Sequence, residues 1–374
     1  MERKQKNSIV RDLNKKMVFL IGPRQVGKTW LAKDIAKNFK NSVYLNWDES
    51  EDRKIILQKN WRTDTDLMIF DEIHKMPQWK NYLKGLYDTK EPKLKILVTG
   101  SARLETFRQS GDSLAGRYFK HRLHPISLTE LNNPTQDDVN KLIERGGFPE
   151  PFLAADPLDV QRWRSLYIDG LIRTDILDFE KIHDFKAIQL VFELLRKRIG
   201  SPISYSSIAE DVQISPHTVK KYIQIFESLY IIFRVTPYSK NIARSLLKEP
   251  KIYFYDTGLV KADDGIKFEN FVAVSLLKQL HLMEDLEGKT TALHYIKTKE
   301  EKEIDFCVAI ENKPVVIIEA KLSEKKIIPE LKYFNEKNKI RAVQLVKELR
   351  TEQNIDKVEL RNALKFLKEL YFTN

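Results

Sequence analysis

The sequence predicts an α/β protein of several domains, with a parallel sheet at the start of the chain and a second α/β domain at its end. Strand-like and helix-like segments alternate over roughly the first 130 residues, as in a doubly wound parallel sheet. A pair of helices with a short polar break follows within residues 201–238. Two further strand-like runs, residues 304–310 and 315–321, carry acidic side chains. A chain of 374 residues is long enough for two or three domains that each bury a core.

The composition is that of a soluble protein from a reducing compartment. Hydrophobic residues make up 42% of the chain and charged residues 31%, which is ordinary for a globular protein. The single cysteine, Cys307, excludes an intramolecular disulfide and a cysteine-based zinc site, and no apolar run is long enough to cross a membrane. We therefore expect a cytoplasmic protein without membrane contact. The formal net charge of +11 favours a polyanionic partner, although a solvated lysine-rich surface gives the same balance.

The first strand and the first predicted helix enclose a loop suited to phosphate. The apolar run MVFLI precedes GPRQVGKT, and Leu31, Ile35 and Phe39 then recur with helical spacing. Glycines let such a loop wrap closely, and its backbone amides point at phosphate oxygens. Lys28 would bridge the terminal phosphates and Thr29 would hold magnesium. The predicted nucleotide-binding residues are Gly22, Pro23, Arg24, Gln25, Val26, Gly27, Lys28, Thr29 and Trp30.

Two later strand ends carry residues for the same site. The run LMIF ends in Asp71 and Glu72, where we expect Asp71 to order the magnesium shell and Glu72 to polarise the attacking water. The run LKILVTGS places Ser101 where it could sense the terminal phosphate. Residues 43–47 read as a further strand of the same sheet. These features predict a P-loop NTPase core.

Five motifs of the chain resemble, in their order, those of bacterial and archaeal AAA-type (AAA+ or STAND-like) ATPases with a C-terminal domain of unknown function. They are GPRQVGKT, FDEIHKMPQW, TGSARL, SLAGRYFKHRLHPISLTEL and GGFPEPF. The resemblance implies ATP and Mg²⁺ as cofactors and a homo-oligomer, with a hexamer as the candidate assembly. It also implies that Arg117 reaches the nucleotide of a neighbouring subunit; the alternative is a surface arginine that stabilises the turn at Gly116. Pro149 resembles the G-x-P proline through which the lid contacts nucleotide.

The middle of the chain is predicted to be helical and then to form a winged helix-turn-helix. Trp163, Leu166, Tyr167 and Leu171 have the spacing of a helical core face, as in a lid. Further on, Ser215 is a predicted N-cap with Pro216 just inside the second helix. Such a helix reads bases near its N-terminus and holds phosphates with lysine. The alternative is a protein contact or a rigid connector. The candidate DNA-binding residues are His217, Thr218, Lys220 and Lys221.

The stretch EIDFCVAIENKPVVIIEAKL carries a second candidate site. Side chains alternate along a strand, so Glu319 and Lys321 share one face. A three-residue hairpin loop would set Asp305 opposite Glu319, and a two-residue loop would send it to the other face. Two carboxylates and a lysine suit magnesium-dependent phosphodiester cleavage. The spacing resembles the PD-(D/E)xK nuclease superfamily, with Ile-Asp in place of Pro-Asp and with Glu269 as the upstream acid; a module that binds without cutting remains the alternative.

The predicted organisation is an α/β chain with an N-terminal P-loop NTPase parallel sheet and helical lid, a winged-helix middle module and a C-terminal α/β PD-(D/E)xK nuclease-like domain. The predicted boundaries are 1–140 for the ATPase core, 141–190 for the lid, 191–260 for the winged helix and 261–374 for the last domain. A final helix is expected to contain Val358, Leu360, Leu364, Leu367 and Leu370.

Two functions of different classes follow from these features. The first is an ATPase that acts on DNA, in which hydrolysis repositions the winged helix and the nuclease-like domain. The second is a nucleotide-dependent switch that recruits a protein partner and carries a catalytically silent nuclease-like domain. Nuclease activity as the primary function is a third reading.

Overall fold

A computed structural model describes residues 2–100, 114–171, 176, 184–239, 248–298, 302–323 and 326–372. The chain divides into two compact units. The first comprises residues 1–124 with 228–230, and the second comprises residues 125–227 with 231–374. The finer division at residues 140, 190 and 260 stays a prediction.

The first unit is built on a five-stranded sheet whose neighbouring strands are all parallel. Every residue of the first and third strands is buried, because a parallel sheet is covered on both faces. This confirms the predicted N-terminal parallel sheet. The strand order is β2-β3-β4-β1-β5. The strands are β1 (Met17–Ile21), β2 (Ser42–Asn46), β3 (Leu67–Asp71), β4 (Lys95–Thr99) and β5 (Tyr118–Arg122).

Among the described residues of the first unit, four helices accompany this sheet. On one side, aromatic and aliphatic side chains of the strands form a core with Trp79 and Leu83 of the last helix, and Phe19 stacks on Tyr118 with ring centroids 4.4 Å apart. A short 3₁₀ turn, Ile73–Lys75, follows β3. The helices are α1 (Lys6–Leu13), α2 (Lys28–Ala36), α3 (Ser50–Gln58) and α4 (Trp79–Thr89).

The second unit begins with helices. Trp163 and Tyr167 stack with centroids 4.6 Å apart and are buried, as predicted, whereas Leu166 is 73% exposed and does not belong to the core face. The expected core spacing was wrong at Leu166 because the buried side of this helix is the narrow i, i+4 stripe that holds the two aromatic rings. The helices are α5 (Gln136–Glu144), α6 (Pro149–Leu153), α7 (Pro157–Gly170), α8 (Phe185–Lys197), α9 (Tyr205–Val212) and α10 (Pro216–Ser228).

The last two of these helices form a helix-turn-helix. Gln213 ends α9 in the left-handed conformation, and the Ser215 hydroxyl accepts a hydrogen bond from the Thr218 backbone amide at the start of α10. Ile208 of α9 and Val219 and Ile223 of α10 are fully buried. The helix-turn-helix pair therefore presents the exposed start of α10 outward.

The second unit also contains an eight-stranded mixed sheet. The strands are β6 (Ile232–Pro237), β7 (Lys251–Phe254), β8 (Thr291–Lys297), β9 (Glu303–Ile310), β10 (Lys313–Lys321), β11 (Arg341–Val346), β12 (Gln353–Ile355) and β13 (Val358–Asn362). Their order is β12-β13-β11-β10-β9-β8-β6-β7. The antiparallel pair that follows α10 belongs to this sheet, because Thr236 of β6 pairs in parallel with His294 of β8.

The later helices that the structure describes in this unit are α11 (Asp264–Glu287), α12 (Pro329–Asn338) and α13 (Ala363–Lys368). α11 packs against β7, β8 and β10, and α12 packs against β11. Within the described ranges, no helix combines the length and the apolar character that crossing a membrane would need.

The expected final helix was wrong over residues 358–362. Val358 and Leu360 are buried and alternate with Glu359 and Arg361, which is strand periodicity, and the segment pairs in parallel with β11. The helix begins only at Ala363, where the Asn362 side chain accepts a hydrogen bond from a backbone amide of the first turn.

Candidate nucleotide-binding site and carboxylate cluster

The loop between β1 and α2 has the backbone that close wrapping around phosphate requires. Gly22 has φ 148°, and a Cβ there would lie 2.3 Å from the Leu123 carbonyl oxygen, so only glycine fits. Gly27 has φ 98° and directly precedes the first residue of α2. The amides at the start of α2 thus face the loop, which makes a ready anion site.

Lys28 lies over this loop. Its Nζ atom donates hydrogen bonds to the carbonyl oxygens of Gly22, at 3.0 Å, and Pro23, at 2.6 Å. The side chain is buried at the first position of α2. The Lys28 ammonium therefore lies inside the loop that would surround the phosphates.

Asp71 collects three hydroxyl groups at the carboxyl end of β3. Its Oδ2 atom accepts hydrogen bonds from the hydroxyls of Thr29, at 2.9 Å, and Tyr44, at 2.6 Å. Its Oδ1 atom accepts from the Thr99 hydroxyl at 2.5 Å. Strands on both sides of β3 therefore orient this carboxylate, and Thr29 and Asp71 offer the hard oxygen donors that Mg²⁺ prefers.

Glu72 follows at once in the left-handed conformation, with φ 55°. Its Oε2 atom lies 3.5 Å from Lys75 Nζ and 3.6 Å from the buried His74 Nε2. Burial raises the pKa of Glu72 and the Asp71 charge adds to this, while Lys75 opposes it. A carboxylate with a raised pKa beside a phosphate loop is suited to orienting water or accepting a proton.

Two supporting residues of this site were not predicted. Arg3 donates to the carbonyl oxygens of Val26, at 2.6 Å, and His124, at 3.0 Å, which braces the loop from the start of the chain. Tyr44 orients Asp71 from β2. The only sequence signal for Tyr44 was an aromatic hydroxyl on a strand beside the acidic strand end.

The other residues predicted for this site lie as follows. Arg24, Gln25 and Trp30 are exposed at the loop surface. Arg117 forms a forked ion pair with Asp88 of α4 at 2.8 and 3.0 Å. Ser101 lies outside the described residues.

Pro149 is the first residue of α6 in the second unit. It lines a cavity of about 760 Å³ together with Leu153, Arg162 and Leu166. Whether this proline contacts nucleotide stays a prediction.

The β9–β10 hairpin has the two-residue loop that was expected to turn Asp305 away from Glu319. A β-bulge between Pro314 and Val316 adds one residue to β10 and restores the pairing. Asp305 and Glu319 therefore meet: the Asp305 amide donates to Glu319 Oε2 at 3.2 Å, and the Ala320 amide donates to Asp305 Oδ2 at 3.0 Å. The expectation for a two-residue loop was wrong because it took the two strands as regular.

The structure brings the three predicted acids of this second site together with Glu303 into one carboxylate cluster, which we define as Glu269, Glu303, Asp305 and Glu319, and it places the fourth predicted residue, Lys321, beside them. Lys321 pairs with Glu319 at 2.7 Å, and the Tyr253 hydroxyl donates to Glu269 at 2.6 Å. Sequence reasoning missed Glu303 and the buried Lys251, although a lysine at the start of the apolar strand KIYF was a signal. Lys251 Nζ lies 2.6 Å from Glu303, 3.6 Å from Glu269 and 3.7 Å from Asp305.

Burial dominates the protonation of this cluster. It raises the pKa of Glu269, of Asp305 and of Glu319, and neighbouring carboxylates raise the pKa of Glu269 and Glu319 further. Burial alone would lower the pKa of Lys251, but the charges of Glu269 and Asp305 outweigh it and hold that pKa above its ordinary value. Lys251 is therefore a charged ammonium within the cluster.

The predicted DNA-contact residues lie at the start of α10. His217 and Lys220 are exposed, and Lys221 is half-buried. The Thr218 hydroxyl is 2.8 Å from the Ser215 hydroxyl, so it takes part in capping the helix.

Comparisons with known proteins agree with the first site. Residues 14–132 match the AAA domain family. Residues 136–270 and 264–366 match two domains of unknown function, DUF8612 and DUF4143. The AAA match and the geometry of the phosphate loop support an AAA-type P-loop ATPase. The nuclease-like character of the last domain stays a prediction.

Uncharacterized proteins are similar in sequence over most of this chain. One from Mycobacterium tuberculosis is 25% identical over 314 residues, which cover 80% of this chain and 68% of that protein. One from Methanocaldococcus jannaschii is 25% identical over 376 residues, covering 88% of this chain and 82% of that protein.

Solved structures are similar only at low overall scores. A Walker-type ATPase of Pyrococcus abyssi is 13% identical with a TM-score of 0.45, covering 69% of this chain and 94% of that one. The RuvB Holliday junction branch migration motor of Thermotoga maritima is 18% identical with a TM-score of 0.30, covering 62% and 88%. With TM-scores under 0.5, these similarities carry no functional conclusion.

Proposed function

We propose that this protein is a magnesium-dependent ATPase whose hydrolysis cycle acts on DNA. The observation that supports hydrolysis most directly is the 2.9 Å contact between Thr29 and Asp71, with Lys28 lying over the same glycine-bounded loop. Residues from a loop, a helix start and a separate strand end converge there, which a chance glycine turn would not require.

The chain's residues take separate roles in this proposal. Loop amides and Lys28 bind the terminal phosphates, and bound magnesium would neutralise their charge beside Thr29 and Asp71. Glu72 orients the attacking water. Lys75, 2.5 Å from Asp48 and 3.5 Å from Glu72, fixes the position of that carboxylate.

Steady-state ATP hydrolysis and nucleotide binding test the ATPase itself. We expect Lys28→Ala to abolish nucleotide binding, and Glu72→Gln to retain binding while turnover falls roughly 10²–10⁴-fold, the usual contribution of a general base. Lys54→Ala and Glu51→Gln are matched controls, because these residues form an exposed surface pair on α3. Turnover unchanged by Glu72→Gln, or binding unchanged by Lys28→Ala, would refute the assignment.

The DNA part of the proposal is supported by the helix-turn-helix, which exposes His217 and Lys220 at the start of α10. Basic residues also outnumber acidic ones between residues 191 and 260. ATP turnover should therefore rise when duplex, branched or single-stranded DNA is added, and the stimulation should weaken as salt increases. Equal turnover with and without every DNA form counts against DNA and leaves the ATPase assignment intact.

A nucleotide-dependent switch with a protein partner is a second candidate. The carboxylate cluster favours it, because acids that already surround the buried Lys251 ammonium fit a catalytically silent nuclease-like domain. Oligomerisation of Glu72→Gln with ATP separates the two proposals. A ring supports a motor, and a monomer that binds a partner only with ATP supports a switch.

A further inference from the structure

The carboxylate cluster already contains a cation of its own. Lys251 is 1% exposed, and its Nζ atom lies among Glu303, Glu269 and Asp305 at 2.6, 3.6 and 3.7 Å. These acids come from two elements, with Glu269 on α11 and the other two on β9. A buried ammonium that faces acids from separate elements stands where a bridging metal ion would otherwise bind.

Several oxygens of the cluster also accept hydrogen bonds or ion pairs from other protein groups. Asp305 Oδ2 accepts from the Ala320 amide, and Glu319 accepts from the Asp305 amide and from Lys321. Glu269 accepts from the Tyr253 hydroxyl. Mg²⁺ requires near-octahedral oxygen ligands at about 2.0–2.1 Å. The position among Glu269, Glu303 and Asp305 that such an ion would bridge is occupied by Lys251 Nζ. Across the described ranges, no group of three or more acidic, histidine or cysteine side chains is placed to hold a metal ion.

We propose that the Lys251 ammonium takes the place of a divalent cation in this cluster, so that the last domain binds no metal there and performs no metal-dependent phosphodiester cleavage. The ion pairs of the cluster instead hold β7, and with it the β6–β7 pair, against β9 and α11. This inference concerns only the second unit and does not depend on ATP hydrolysis.

The position of Lys251 in the sheet supports a structural role in holding β7 against its neighbours. β7 lies at one edge of the eight-stranded sheet; among the described residues it pairs with β6, and Lys251 forms one further bridge to Pro202. The ion pairs to Glu303 and Glu269 therefore connect this edge strand to elements with which it shares no strand pairing. Tyr253, two residues along the same face of β7, adds its hydrogen bond to Glu269.

Manganese binding by the nucleotide-free full-length protein tests the inference without any activity assay. We titrate Mn²⁺ into the wild type and Asp305→Asn and follow binding by calorimetry and by the Mn²⁺ electron paramagnetic resonance signal. The expected result is the same isotherm for both proteins. A binding site that the wild type has and Asp305→Asn lacks would overturn the proposal.

A gain-of-binding variant tests the same point from the other side. Lys251→Met/Glu303→Gln removes the ammonium together with one carboxylate, so the local charge is kept, and Glu269, Asp305 and Glu319 remain. We expect one new Mn²⁺ site that disappears when Asp305→Asn is added, together with a lower melting temperature in the absence of metal. A folded double variant that gains no site would show that the ammonium does not exclude the metal, and the proposal would fall. The wild-type comparison decides the question if the double variant does not fold.

Discussion

Thr29, at the start of α2, donates a hydrogen bond to Asp71 at the end of β3 across 2.9 Å. The same Asp71 oxygen accepts a hydrogen bond from Tyr44 at 2.6 Å, and the other carboxylate oxygen accepts from Thr99. Asp71 is therefore held by hydroxyl groups from both neighbouring strands. This preorganisation reduces the rearrangement that magnesium binding would otherwise require.

Removal of the Tyr44 hydroxyl should lower the affinity of the nucleotide site for Mg²⁺. We expect Tyr44→Phe to raise the half-saturating Mg²⁺ concentration for ATP turnover and to lower kcat by about tenfold at most, which corresponds to ~1.4 kcal/mol for one hydrogen bond. Excess Mg²⁺ should restore much of the loss. Tyr82→Phe is the control, because Tyr82 donates instead to the Ile56 carbonyl oxygen. A kcat loss that no Mg²⁺ concentration changes would contradict a positioning role.

Mixing experiments can show whether Arg117 acts on a neighbouring subunit. Arg117→Ala and Lys28→Ala should each be inactive alone, since an arginine finger contributes about 10³–10⁵-fold in turnover. Mixed in equal amounts, the two variants should recover part of the wild-type turnover, because some interfaces then pair an intact loop with an intact arginine. The contrary outcome has two parts: Asp88→Asn lowers turnover as much as Arg117→Ala does, and the mixture of Arg117→Ala and Lys28→Ala recovers no turnover. Arg117 and Asp88 would then act only as an ion pair within one chain.

The start of α10 gives a salt-dependence prediction. Lys220→Ala/Lys221→Ala should weaken binding to every DNA sequence and lower the slope of log affinity against log salt by about 2, as expected for two lost phosphate contacts. Lys365→Ala/Lys368→Ala is the control, since it removes the same charge from exposed positions on α13. Equal slopes for both double variants would place the DNA contact elsewhere.

Asp256 makes stability depend on pH. It is buried, its Oδ2 atom has no hydrogen-bond partner within the described residues, and burial raises its pKa from 3.8 to about 6 although Arg164 opposes this. Because the folded state binds the proton more tightly than the unfolded state, the wild type should lose stability relative to Asp256→Asn as pH rises between about 4 and 6. The change is on the order of 2–3 kcal/mol, from roughly two pKa units.

Urea unfolding at pH 4.5 and pH 7.5 measures this difference. Asp159→Asn, at an exposed position of α7, should show no such change. If the wild type instead gains stability relative to Asp256→Asn as pH rises, the pKa of Asp256 is not raised in the folded state and the assignment is refuted.

Local sequence signals predicted the first unit and its phosphate loop well. The apolar strands, the paired glycines and the acids after β3 lie close together in the sequence. The position of each of these features therefore limits where the next one can lie in the fold. β5 was not assigned individually, because its sequence YFKHR is polar for a strand paired with the buried β1. Tyr44 and Arg3 were missed since their roles depend on pairing and packing between distant segments.

The second unit was harder to predict because its arrangement depends on long-range pairing. Neither a helix-turn-helix pattern nor a hairpin pattern shows that β6 will join β8 in one sheet. Lys251 and Glu303 are 52 positions apart in the numbering, and only the fold brings their charges to 2.6 Å. Val358 and Leu360 were assigned to a helix because apolar residues among lysines fit both periods over so short a segment.

The bulge in β10 leaves the orientation of the hairpin acids dependent on a single backbone residue. If β10 paired regularly from Lys313, without the bulge, Ile318 would lie opposite Asp305, and Glu319 and Lys321 would face the opposite surface. Loop length alone is therefore an unsafe guide when aligning related chains at this hairpin. Loop and bulge residues must be counted together, because their parity determines which surface of the sheet carries the charge.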